Sequence, residues 1–209
     1  MAQQRTSPTA AYTYADYLTW PEDERWEIID GEAFDMTPAP GLDHQEILAE
    51  LITQFRTFLR GKTCKVFPEP DVILPRGNES DAEARSVLRP DLAVVCDPAK
   101  TDDKRIRGAP DLVIEILSPS TASHDMIRKR RLYEQAGVRE FWLVHPADRI
   151  VTIFRLESDG NFGKPVYLGA EDRIDANLFS GLTIDLTLVF PPRPRIVREA
   201  PRPWGSEPK

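Results

Sequence analysis

The run Asp111-Leu-Val-Ile-Glu-Ile-Leu117 constrains this chain more than any other segment. Its Leu, Val and Ile residues follow one another without polar alternation, the pattern of a strand covered on both faces. Glu115 interrupts that pattern. An ionised carboxylate in such a place is strongly unfavourable unless it is paired, protonated or bound to a metal. A second run, Arg89-Pro-Asp-Leu-Ala-Val-Val-Cys96, carries another acid, Asp91, at the start of a strand. Two carboxylates on adjacent apolar strands can share one cation.

Geometry chooses among the acids. Pro-Asp occurs at 70–71, 90–91 and 110–111. Asp111 and Glu115 share a strand face, but four residues at ~3.3 Å each separate their backbones by about 13 Å. A Mg²⁺ ion with oxygens at ~2.1 Å does not join them. A neighbour across strands about 5 Å apart does. Asp91 is therefore the expected partner of Glu115, Asp111 marks a strand entrance, and Asp71 stays open. The rival reading is purely structural, with Glu115 paired to a buried Arg or Lys.

Around these strands the pattern alternates. A short helix is expected over 12–20, then a hairpin over 25–36 whose Asp30-Gly31 supplies the positive φ of a tight turn. A helix over 44–60 carries Ile47, Leu48, Leu51, Ile52, Phe55, Phe58 and Leu59 on one face. Strands follow over 65–74, 88–95 and 112–117, with a charged loop over 76–85 that reads as a mobile flap. A helix over 123–137, capped by Thr121 or Ser123 and stopped by Gly137, leads to a strand over 140–144 and a hairpin over 150–168. The order specifies an α/β (α+β) domain with a mixed sheet flanked by helices. Residues 1–11 read as a flexible N-terminus, 12–190 as one domain and 191–209 as a Pro-rich tail.

The bulk numbers exclude some classes. At 209 residues the chain suits one domain. No apolar stretch approaches the ~20 residues of a membrane helix. The N-terminus lacks a signal-peptide core, so a cytoplasmic location is expected. Cys64 and Cys96 read as buried free thiols of a reducing compartment, and no Cys/His spacing suggests zinc. The net charge of −7 argues mildly against a generally nucleic-acid-binding surface, while leaving room for a local basic patch.

Arg89-Pro-Asp91, Asp111-Leu-Val-Ile-Glu-Ile-Leu-Ser-Pro-Ser-Thr121, Lys129 with Tyr133, and Ala136-Gly-Val-Arg-Glu-Phe-Trp-Leu-Val144 together resemble the Uma-two-type restriction endonucleases of the PD-(D/E)XK superfamily. The similarity runs from about residue 12 to 190. It implies a restriction-endonuclease-like core with an extra N-terminal hairpin and C-terminal strands. It also implies Mg²⁺ (or Mn²⁺) held by Asp91, Glu115 and the Ile116 carbonyl, and cleavage of DNA. One position departs from the motif: Leu117 stands where a lysine is expected two residues after the glutamate.

Helical spacing offers a substitute. Met126, Lys129, Tyr133 and Ala136 fall on one face, so Lys129 interrupts the stripe turned to the sheet while Arg128 and Arg131 point elsewhere. The superfamily's habit of supplying the lysine from a neighbouring helix makes Lys129 the implied catalytic cation. Its plain alternative is a surface pair with Asp125. The run 128–131 reads as a solvated helix face, and Glu46 and Glu50 as non-ligands. Glu27 reads as hairpin structure and His44 as a helix-start residue, with lining the cleft as its alternative. Ser118, Ser120 or Ser123 with His124 and Asp125 are too close in sequence for a hydrolase triad. The expected function is Mg²⁺-dependent DNA cleavage, with homodimerisation to cut two strands. The alternatives are an inactive nuclease-fold module for nucleic-acid binding or oligomerisation, and a small-molecule phosphodiesterase.

Overall fold

A computed structural model of the chain describes residues 4–5, 11–21, 23–36, 41–118 and 125–190. The Pro-rich segment over 191–209 and the expected cap residues Thr121 and Ser123 lie outside that set. A Thr13–Asp16 capping box opens the short helix α1 (Tyr14–Tyr17). Strands β2 (Trp26–Ile29) and β3 (Glu32–Asp35) form the expected hairpin. Both turn residues are left-handed, Asp30 at φ 53° and Gly31 at φ 83°. The N-terminus is not wholly loose, because β1 (Gln4–Arg5) pairs with β3.

Helix α2 (Leu42–Leu59) buries Ile47, Leu51, Phe55 and Leu59, so its apolar stripe is the one the sequence predicts. The next two expected strands each break in two. Residues 65–74 form β4 (Lys65–Pro68) and β5 (Asp71–Ile73), divided at Glu69, which has φ 45°. Residues 87–95 form β6 (Val87–Leu88) and β7 (Leu92–Val95), divided at Arg89-Pro90-Asp91. A proline without an N–H cannot continue a central ladder, and the chain changes sheet there.

The one expected mixed sheet is therefore two. The first has the order β1-β3-β2-β6-β5-β8, where β8 (Arg105–Arg107) is a three-residue strand with no apolar signal of its own. The second is β12-β11-β10-β9-β7-β4. It comprises β9 (Leu112–Ile116), β10 (Glu140–His145), β11 (Ile150–Arg155) and β12 (Val166–Gly169). Only β9 and β10 run parallel in this sheet, so both sheets are mixed and the domain is α+β. A small ribbon, β13 (Arg173–Asp175) with β14 (Thr183–Asp185), and α4 (Leu186–Val189) complete the domain.

Alternation along β9 sorts the core. Leu112, Ile114 and Ile116 pack with α2 and the C-terminal ribbon. Val113 and Leu117 pack with first-sheet residues such as Ile29, Val72 and Leu88, and with Leu132 and Tyr133. Those last two belong to α3 (Arg130–Ala136), which follows a π-helical turn over Asp125–Lys129 and ends at left-handed Gly137. The second sheet is thus covered on both faces, as the unalternating β9 sequence requires.

Two expectations need correction. Cys64 and Cys96 are half-buried and joined in a disulfide, not free. The Lys65↔Val95 register sets them opposite each other across β4 and β7, a proximity invisible until those strands pair. The link closes a separation of 32 residues, worth about 4 kcal/mol by chain entropy. It removes the free-thiol argument for a reducing compartment. The loop over 76–85 is also anchored: Ala84 is fully buried, its carbonyl accepts from Tyr14 N–H, and Arg76 pairs with Asp30 at 2.5 Å.

Candidate functional site

The chain crosses from the first sheet to the second at Arg89-Pro90-Asp91, and the polar residues gather at this crossing. The β7–β9 register, Leu92↔Ile114, continues to bring Asp91 opposite Glu115. Asp91 Oδ2 accepts from the Ile116 backbone N–H at 2.6 Å, which fixes the first carboxylate against the strand carrying the second. Asp91 therefore stands beside Glu115 in the ladder and is bonded to Ile116, the residue after it. Asp111 lies at the strand entrance, accepting from Cys96 N–H at 2.8 Å and from Arg139 at 3.3 Å.

Glu115 is 3% exposed and has buried partners. Lys129 Nζ donates to its two oxygens at 3.2 and 3.3 Å, and Tyr133 Oη donates to Oε1 at 2.8 Å. The buried pairing offered above as the structural rival is present, and its partner is the same Lys129 that the resemblance singles out. Lys129 is 1% exposed, so it is not a surface residue. The helical stripe is only partly right, because Met126 and Ala136 are exposed. The π-helical turn ends at Lys129, and its wider spacing departs from a 3.6-residue count. Arg128 and Arg131 are exposed, with Arg128 bonded to Glu32 at 2.8 Å.

Leu117 sits on the same strand face as Glu115 and packs in the core with Leu132 and Tyr133. The motif's lysine position is thus filled by apolar packing, and an ammonium group reaches the carboxylate from the helix instead.

Two residues matter more than the sequence suggested. Glu27 on β2 is fully buried, lies 2.8 Å from Lys129 Nζ and accepts from Arg89 N–H at 2.8 Å. Among the described residues, Lys129 is a single cation between two carboxylates. The reasoning that exposed Glu115 applies equally to Glu27, an acid inside Trp26-Glu-Ile-Ile29, a strand buried at every position. His44 stands in the first turn of α2 with Nε2 3.1 Å from Asp91 Oδ1. It continues the buried stripe of Ile47, Leu51 and Phe55 one turn earlier, and that continuation was the available signal. Burial lowers its pKa, but the hydrogen bond and charge of Asp91, the charge of Glu69 and the Ile116 carbonyl outweigh burial and hold it above the ordinary histidine value.

Other acids stand apart. Asp71 lies 3.3 Å from Arg89 and accepts from Tyr17 Oη at 3.3 Å; burial, then the Asp71 charge, push that phenol up to about 12. Glu46 is exposed, and Glu50 accepts from Gln54 at 2.9 Å. Ser120, Ser123 and His124 lie outside the described residues.

Asp91, Glu115 and the Ile116 carbonyl offer hard oxygen donors, which suit Mg²⁺ or a similar ion. Among the described residues no three His, Cys, Asp or Glu side chains form a metal cluster, so such an ion would complete its shell with water, as Mg²⁺ does. Among those residues no helix is long and apolar enough to cross a membrane.

The fold is shared with a solved structure. A solved structure from Anabaena variabilis, described as a "putative nuclease", superposes with a TM-score of 0.69 at 20% identity, covering 86% of this chain and 97% of that one. An uncharacterised protein of Synechocystis sp. is 27% identical over 198 residues, 91% of this chain and 97% of its own length. The Uma2 family model, described as "Putative restriction endonuclease", matches residues 14–187, from the first turn of α1 into α4. With the match covering every strand from β2 to β14 and every residue gathered at the crossing of the two sheets, this chain belongs to the Uma2 family.

Proposed function

We propose that this chain is a metal-dependent nuclease that hydrolyses phosphodiester bonds in DNA, with its centre at Asp91, Glu115 and Lys129. The observation that supports this reading is the register that sets Asp91, just before β7, beside Glu115 of β9, whose carboxylate holds the buried Lys129. The nuclease description of the family agrees with it.

In hydrolysis a water oxygen bonds to phosphorus as the ester P–O bond breaks, and negative charge gathers on the phosphoryl oxygens. Asp91, Glu115 and the Ile116 carbonyl would hold Mg²⁺ (or Mn²⁺), which when bound polarises a phosphoryl oxygen and lowers the pKa of a water. Lys129, fixed by Glu27 and Glu115, would orient the attacking water and face the developing charge. Tyr133 holds Glu115 in one orientation, and His44 does the same for Asp91. A homodimer belongs to the same proposal, since two strands of a duplex require two cuts. The open edge of β12, with Val166 and Tyr167 exposed, offers a pairing surface.

Supercoiled plasmid incubated with Mg²⁺ tests the reading. Wild type should nick it, EDTA should stop nicking, and Glu115→Gln and Lys129→Met should each lower the rate at least about a hundredfold. Equal cleavage by wild type and Glu115→Gln sinks the proposal. A folded wild type that cleaves nothing with Mg²⁺ or Mn²⁺ favours the second reading, an inactive binding module. That reading is supported by Leu117 in the core and by the protein partners already on Glu115.

A further inference from the structure

The last turn of α2, the loop after it and the edge strand β4 enclose a cleft of about 500 Å³. Arg56, Arg60, Lys62 and Lys65 line it, and no Asp or Glu does. All four cations are exposed. The whole chain carries 34 acidic residues against 27 Lys and Arg, so an acid-free wall of four cations is a local concentration against the general charge. A concave surface of one sign focuses the field and favours a polyanion.

The cleft also has a direction. Phe67 and Pro68 form its far end, and Pro68 is the register partner of Leu92, the residue after Asp91. The next residue, Glu69, donates its backbone N–H to the Asp91 carbonyl at 3.0 Å. Phe67 and Pro68 also line a second cleft of about 330 Å³ that holds Arg89, where Glu69, Asp71, Asp102 and Asp103 offset the basic residues. Of these two clefts the α2–β4 one is uniformly basic, and it leads along β4 to the crossing of the two sheets.

We infer that the α2–β4 cleft binds the phosphate backbone of a nucleic-acid strand and guides it toward Asp91 and Glu115. The inference rests on the nuclease reading only for the destination of the strand; binding in the cleft stands or falls alone. Cations on phosphates set position without reading bases, so the cleft should bind without sequence preference. An edge strand facing this cleft carries Lys65 at its start, which also protects the edge from pairing with another chain.

Fluorescence anisotropy with the full chain in EDTA tests binding without turnover, using labelled single-stranded and duplex oligonucleotides of mixed sequence as separate arms. Arg60→Glu combined with Lys65→Glu should weaken the preferred form at least tenfold near 0.1 M salt. It should reduce the slope of log affinity against log salt by roughly 1.4 for a single strand or 1.8 for a duplex. Arg60→Gln with Lys65→Gln should fall between, and a control reversing exposed Lys164 and Arg85 should change affinity less than twofold. Circular-dichroism melts establish that each variant is folded. Equal losses in cleft and control variants overturn the inference, and so does wild type that binds neither oligonucleotide at low salt. If wild type binds through the cleft yet fails to cut plasmid with Mg²⁺, the nuclease reading fails and the cleft stands. If it cuts at the same rate with both cleft cations reversed, the cleft fails and the nuclease reading stands.

Discussion

Glu115 and Glu140 are both buried acids on neighbouring parallel strands, 3% and 1% exposed, and they are held differently. Glu140 accepts from Trp142 Nε1 at 2.9 Å and pairs with Arg155 at 3.0 Å, whose side chain is 34% exposed. One acid meets one cation that keeps contact with solvent. Glu115 instead shares the fully enclosed Lys129 with Glu27, and Asp91 lies opposite it across β7 and β9. A buried carboxylate therefore does not mark a site. What separates the two, among the described residues, is one enclosed lysine set between two carboxylates where the chain passes between sheets.

The largest test of that contrast removes the cation from each pair. Lys129→Met leaves two enclosed carboxylates without it and should cost about 3–5 kcal/mol in urea unfolding. Arg155→Met, at a partly screened pair whose acid keeps its tryptophan donor, should cost about 1 kcal/mol or less. Equal losses would erase the distinction.

Neutralising the acids sharpens it in another direction. Glu115→Gln keeps the shape and lowers the like charge near Glu27, so stability should change by less than about 1.5 kcal/mol while plasmid nicking is lost. Glu140→Gln should leave nicking within about twofold of wild type, since that residue is outside the proposed centre. Loss of nicking in both variants alike would make the effect one of folding.

The described histidines repeat the contrast on a smaller scale. His44 beside Asp91 is held above the usual histidine value, whereas burial, opposed by the Asp148 charge, holds His145 below it. The His44 contribution to stability is fully present below its unfolded value, ~6.5, and is lost as pH rises through the higher folded value. The sign reverses at His145, whose folded state favours the neutral ring, so stability falls as pH drops below ~6.5. NMR titration should place the His44 midpoint above that of His145, and Asp91→Asn should bring them closer. An unchanged gap in that variant would show that Asp91 does not set it.

The smallest effect is expected at Arg128. Its pair with Glu32 is about half exposed on both sides, so Arg128→Ala should shift stability by less than about 0.5 kcal/mol.

Composition and period alone carry much of the fold. The hairpin turn at Asp30-Gly31, the buried stripe of α2, the enclosed β9 and the stop at Gly137 all follow from local pattern, because each depends on neighbours a few residues away. The significance of Glu115 was legible for the same reason. An ionisable group in a run of branched apolar residues conflicts with its local setting, and something distant has to compensate.

The compensation itself belongs to tertiary structure. Glu27, Asp91, Glu115 and Lys129 lie on four separate segments, and only the passage of the chain between sheets at 68–71 and 88–92 gathers three of those segments around the fourth. Strand register likewise decided that Cys64 meets Cys96, and the π-helical turn decided where Lys129 points. Hydrophobic period specifies which face of an element is buried. It does not specify which other element covers that face, since many partners bury equal apolar area and only the packed whole selects among them.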